Sequence, residues 1–186
     1  MDSLDITRRW VENVVVELNL CPFARRELIG GKVRFSETGA IDIESLLQAL
    51  VEELEYLNLH PEIETTLLIH PKVLTEFSDY NPFLDLADAL LCDMQLQGVY
   101  QIASFHPGYR FAGTRKEDAE NYSNRSPFPM LHLIREASLE RAIAGYPDPQ
   151  NIPERNIALL NKLGRNTLQA ALENCFVRAA YSHKES

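Results

Sequence analysis

Two histidines, His70 and His106, each stand directly after a run of β-branched and apolar residues and directly before a proline. The runs Thr65-Thr66-Leu67-Leu68-Ile69 and Val99-Tyr100-Gln101-Ile102-Ala103-Ser104-Phe105 are too short for helices and read as buried strands. Both stop at the proline, which cannot donate to a ladder. Ligands of parallel α/β sheets sit at the carboxyl ends of strands, so two strand-end imidazoles are candidates for one site. There they could ligate a divalent metal or move a proton, or they could simply hydrogen-bond a loop. His60 and His183 read as surface residues.

Further polar residues lie near the same place in sequence. Gly108 to Arg125 is polar and irregular, long for a structureless connection, and carries Arg110, Asn121, Asn124 and Arg125. Ser126-Pro127-Phe128-Pro129 can open a helix reaching about Ala144, because proline in a first turn removes only orphaned donors. On such a helix His132 and Glu136 share a face with Arg135 one position aside, which suits a metal, an acid/base pair or a plain surface pair. Arg125 beside the helix N-terminus would make an anion site. Cys21 lies in a turn before Pro22, whereas Cys92 and Cys175 fall on apolar faces. It is the thiol placed to react or ligate, although position 24 is Ala, not the second cysteine of a redox pair.

These residues support three chemistries. A metal-dependent enzyme would hold zinc or iron through His70, His106 and one or two of Cys21, His132 and Glu136. A metal-free enzyme would use Cys21 as nucleophile and His106 or His132 as base, with Arg110 and Arg125 on a carboxylate or phosphate. A non-catalytic binder would hold its ligand with the Arg, Asn and His residues. The expected catalytic set is Cys21, His106, Arg125, His132 and Glu136. The expected ligand-binding set is Arg110, Asn121, Asn124 and Arg135, and the expected metal set is His70, His106 and His132.

The elements that must position them follow from periodicity. A helix is expected over about 5–19, with Ile6, Trp10, Val14, Val15 and Leu18 at helical spacing, and a brief strand at Val33-Arg34-Phe35. Ile43, Leu46, Leu47, Leu50, Val51, Leu54 and Leu57 form one face of an amphipathic helix. Asn81-Pro82 reads as the start of another, through Phe83, Leu86, Ala87, Leu90, Leu91 and Met94 to Gly98. Pro153 onward is helical, interrupted at Gly164 and resumed through Leu168, Leu172 and Phe176, and the polar residues from Ser182 are expected to fray. The order β-α-β-α-β predicts an α/β fold in one domain over 1–186. Its expected core is a small parallel sheet flanked by helices, with additional N- and C-terminal helices.

Composition narrows the partners. A net charge of −9 gives no basic excess to neutralise nucleic acid or an anionic membrane, while Arg110 and Arg125 make a small, anionic molecule the expected ligand. There is no run of about 18 apolar residues and the start is acidic, which predicts a cytoplasmic protein. Gly30-Gly31-Lys32 precedes a strand instead of following one, so it is no phosphate loop, and no Gly-x-Ser-x-Gly elbow occurs.

Three stretches carry a family likeness: Leu18-Asn-Leu-Cys-Pro-Phe-Ala24, Ile102-Ala-Ser-Phe-His-Pro107 and Asn121-Tyr-Ser-Asn-Arg-Ser-Pro-Phe-Pro-Met-Leu-His-Leu-Ile-Arg-Glu136. With Trp10 and Ile152-Pro153 they resemble the bacterial family catalogued as domain of unknown function 1415. The resemblance covers nearly the whole chain and implies no activity. It groups Cys21, His106, Asn124, Arg125, His132, Arg135 and Glu136, the positions also reached from the residues themselves.

Overall fold

A computed structural model describes residues 2–177; Ser182 and His183 lie outside the described residues. The sheet has four strands: β1 (Val33–Glu37), β2 (Thr65–Ile69), β3 (Tyr100–Phe105) and β4 (Met130–Arg135), in the order β1-β2-β4-β3. β1 and β2 are parallel, while β4 runs antiparallel to both β2 and β3.

The fold is therefore mixed α/β, and the expected purely parallel βαβαβ sheet is corrected in one strand. Met130–Arg135 is a strand where a helix was expected over 126–144; only its second half, α5 (Glu136–Ala144), is helical. Its apolar residues follow one another without alternation because both faces are covered. Met130 joins one core, while Leu131 and Leu133 join the other. The crossover from β2 to β3 skips one position, and β4 fills the gap, a split βαβ arrangement.

Helices cover both faces. On one side lie α3 (Ile43–Leu59) and α4 (Phe77–Asp93), whose Leu46, Leu50, Leu54, Leu57, Tyr80, Phe83 and Ala87 are buried against Leu68, Leu131 and Leu133. α3 starts at a capping box in which Ser45 N–H donates to Asp42 at 2.8 Å. On the other side lie α1 (Ser3–Trp10) and its π-helical continuation Val11–Val16, with α2 (Ala24–Ile29), α6 (Ile152–Leu163) and α7 (Arg165–Asn174). Trp10, Val14, Leu160 and Leu168 pack there with Leu67, Ile69 and Met130.

α4 begins earlier than the Asn81-Pro82 signal suggests, so Pro82 falls inside it. The proline ring faces solvent and forfeits one backbone bond. Tyr80, two residues nearer the N-terminus and so on the far side of the helix, is fully buried, and that burial helps to offset the loss. Among the described residues no helix is long and apolar enough to cross a membrane.

Candidate functional site at the carboxyl edge of the sheet

Because β2 and β3 both run opposite to β4, their carboxyl ends share one edge with the first residues of β4 between them. His70 N–H donates to the Pro129 carbonyl at 3.0 Å, and His106 N–H donates to the Asn124 carbonyl at 3.2 Å. The two imidazoles lie on the α3/α4 face and meet across Tyr80. The Tyr80 ring stacks on His70 at 5.8 Å between centroids and lies 5.0 Å from His106.

Tyr80 joins the strands as well as the rings. Its hydroxyl donates to the Met130 carbonyl at 2.8 Å and accepts from Phe105 N–H at 3.1 Å, bridging the end of β3 to the start of β4. The apolar spacing Phe77, Tyr80, Phe83, Ala87, Leu91 carried this residue in the sequence, but the Asn81-Pro82 start signal hid it.

The imidazoles have defined tautomers set by their partners. His70 Nδ1–H donates to the Val73 carbonyl at 3.0 Å, while the enclosed Nε2 has no partner among the described residues. Burial pushes its pKa down to about 4, so the ring is neutral at pH 7. His106 Nε2–H donates to the Leu74 carbonyl at 3.1 Å and Nδ1 accepts from Gly108 N–H at 2.9 Å. Burial lowers its pKa too, and both of its nitrogens are committed to loops.

The polar residues between β3 and β4 hold their own backbone. Asn121 accepts from Phe111 N–H (3.0 Å) and the Thr114 hydroxyl (2.8 Å) and donates to the Arg115 carbonyl (2.8 Å). Asn124 donates to the Ser104 carbonyl at 3.0 Å. Arg125 is buried over the Tyr122 ring and donates to the carbonyls of Tyr109 (3.2 Å) and Lys116 (2.6 Å). Together they give residues 108–116 one shape.

That shape leaves a cavity of about 260 Å³ walled by Thr75, Glu76, Phe77, Ser78, His106, Pro107, Gly108, Arg110 and Lys116. Arg110 and Lys116 are exposed, and their side chains make no hydrogen bond or ion pair among the described residues. The opening turn of α4 forms the opposite wall, and no side chain caps its N–H groups. The chain passes close at Gly108, where a Cβ would lie 3.4 Å from His106 Nδ1 and 3.5 Å from the Phe77 Cβ. Glu76, Phe77, Ser78 and Lys116 were not singled out in the sequence, because nothing in their spacing shows that a loop folds back over the start of a helix.

The other expected residues lie elsewhere. His132 sits in the middle of β4, opposite Leu67 and Ala103, on the α1/α6/α7 face near Phe105. It donates to the Thr65 hydroxyl at 2.6 Å, that hydroxyl donates onward to the Leu133 carbonyl, and burial pushes the ring pKa down to about 4. In a strand, residues four apart are separated by roughly 13 Å, so His132 and Glu136, which opens α5, do not form the expected helical pair. The proposed His70, His106 and His132 set is divided between the two sheet faces. No group of three His, Cys, Asp or Glu that could hold a metal ion occurs among the described residues.

Cys21 follows the π-helical segment, where burial pushes its thiol up, the opposite of activation; the Phe23 and Ala24 amides offset this only in part. Arg135 ties the end of α3 to the sheet, donating to the carbonyls of Leu57, His60 and Ile63 and to the Tyr100 hydroxyl. It also borders a larger cavity of about 410 Å³ at the opposite sheet edge, with Glu64, Ser138 and Arg141. There the polar groups satisfy one another: Glu64 accepts from Ser138 and faces Lys32 at 3.4 Å, and Arg141 donates to Ser138 at 2.8 Å. The smaller cavity, with two uncommitted cations, is the better candidate.

Fold and site together define a mixed α/β protein with a small, cation-lined cavity at the carboxyl edge of a split sheet. Residues 2–170 match the family described as Protein of unknown function (DUF1415), and the chain belongs to that family. Comparison with curated proteins and with solved structures gives no match.

Proposed function

We propose that the protein binds a small anionic molecule in the cavity between the start of α4 and the 108–116 loop. The observation that carries this reading is the pair Arg110 and Lys116, uncommitted to any protein partner and facing a helix N-terminus across about 260 Å³. Guanidinium, ammonium and uncapped N–H groups all favour negative charge there, in a chain whose net charge is −9. A space of about 260 Å³ suits a phosphate monoester or short carboxylic acid.

Binding fits the site better than catalysis does. Both His106 nitrogens, both ends of the Asn121 amide and the Tyr80 hydroxyl are engaged in holding backbone, so they shape the cavity without offering a base. The test is calorimetric titration of the purified protein with small phosphates and carboxylates. Binding should weaken about tenfold or more in Arg110→Ala and again in Lys116→Ala, the loss of one charge-assisted contact each. Unchanged affinity in both variants refutes the reading.

A further inference from the structure

Glu76 is the one carboxylate in the wall of this cavity, and its presence is unexpected for a simple anion site. It stands at the N-cap of α4, yet its side chain caps nothing. Among the described residues its carboxylate has no hydrogen-bond or ion-pair partner, although its charge reaches His106. Arg110, Lys116, Thr75 and Ser78 line the same cavity, and like Glu76 all four are exposed to solvent.

A carboxylate in such a wall is acceptor-only. It repels a bare ligand oxygen, but it accepts a hydrogen bond from an oxygen that still carries its proton. We infer that Glu76 selects an oxyanion retaining one O–H, as inorganic phosphate does, over a fully deprotonated one such as sulfate. This rests on the anion-binding reading above and adds its selectivity: the cations supply attraction to either ion, and the carboxylate sorts them by their protons.

Phosphate and sulfate separate the two claims, because they are alike in shape and, at about pH 8, both dianions, with only phosphate protonated. Titration of the full chain at that pH and equal ionic strength should show phosphate binding about tenfold or more tighter than sulfate, the weight of one hydrogen bond to a charged group. In Glu76→Gln the amide can donate to either ion, so sulfate should gain and the preference should fall to within about twofold. Equal binding of the two ions by the wild type overturns the selectivity while leaving the cavity an anion site, as does a preference that survives in Glu76→Gln. Failure of both ions to bind, with Arg110→Ala and Lys116→Ala indistinguishable from wild type, overturns both.

Discussion

Replacing His70 by Asn should flatten the loss of stability between pH 7 and pH 5. In the native state the ring is enclosed and its pKa lies at about 4, against about 6.5 in an unfolded chain. Between those values the unfolded state binds the extra proton, so stability falls as pH falls, beginning near 6.5 and ending near 4. At about 1.4 kcal/mol per pH unit, the full drop is worth about 3 kcal/mol, and about 2 kcal/mol of it falls between pH 7 and pH 5. Carboxylates are still largely ionised there, which isolates the histidines. Asn can keep a donor on the Val73 carbonyl in place of Nδ1–H, so the fold retains that contact. Urea unfolding at pH 7, 6 and 5 supplies the measurement. His132, held at about 4 by its own burial, contributes a similar slope and His106, also lowered by burial, a further one, so the variant should keep part of the slope but lose clearly less than wild type over that interval. Parallel stability–pH curves for the two proteins would refute the argument that enclosure of His70 opposes its protonation.

Tyr80→Phe strips the bridge between β3 and β4 and leaves Phe105 N–H and the Met130 carbonyl without it; at about 1–3 kcal/mol for each group, a loss of about 2–6 kcal/mol should appear in the urea-unfolding free energy, with faster amide exchange at Phe105. Glu53, 8 % exposed, receives Arg34 through two bonds of 2.9 and 3.0 Å and Ser36 at 2.6 Å. Glu53→Ala should therefore cost about 1–2 kcal/mol, because Arg34 loses its ion pair but keeps the Tyr56 ring and partial exposure to water, and a change below about 0.5 kcal/mol in the unfolding free energy would contradict it.

Much of the architecture was legible because its signals are local. The face Leu46, Leu50, Leu54, Leu57 repeats at helical spacing and all four are fully buried; Thr65–Ile69 stops at a proline and is the buried strand expected of it. Met130–Arg135 was misread because a strand covered on both faces loses its alternation, and nearby Ser126 and Pro127 mimic a helix start. Tyr80 was missed for the related reason that a strong cap-like dipeptide lay just after it.

By itself the sequence determined which segments form helices and strands over most of the chain, and that two histidines end strands. Those properties depend on near neighbours and the prolines that follow. Only the tertiary structure decided that β4 lies between β2 and β3, which puts His70 and His106 on one face with Tyr80 between them and sends His132 to the other. It also decided that Asn121, Asn124 and Arg125 are spent on backbone while Arg110 and Lys116 are left facing α4. Strand order and loop closure are contacts between residues distant in sequence, chosen by the shared burial of both sheet faces, and no local spacing encodes them.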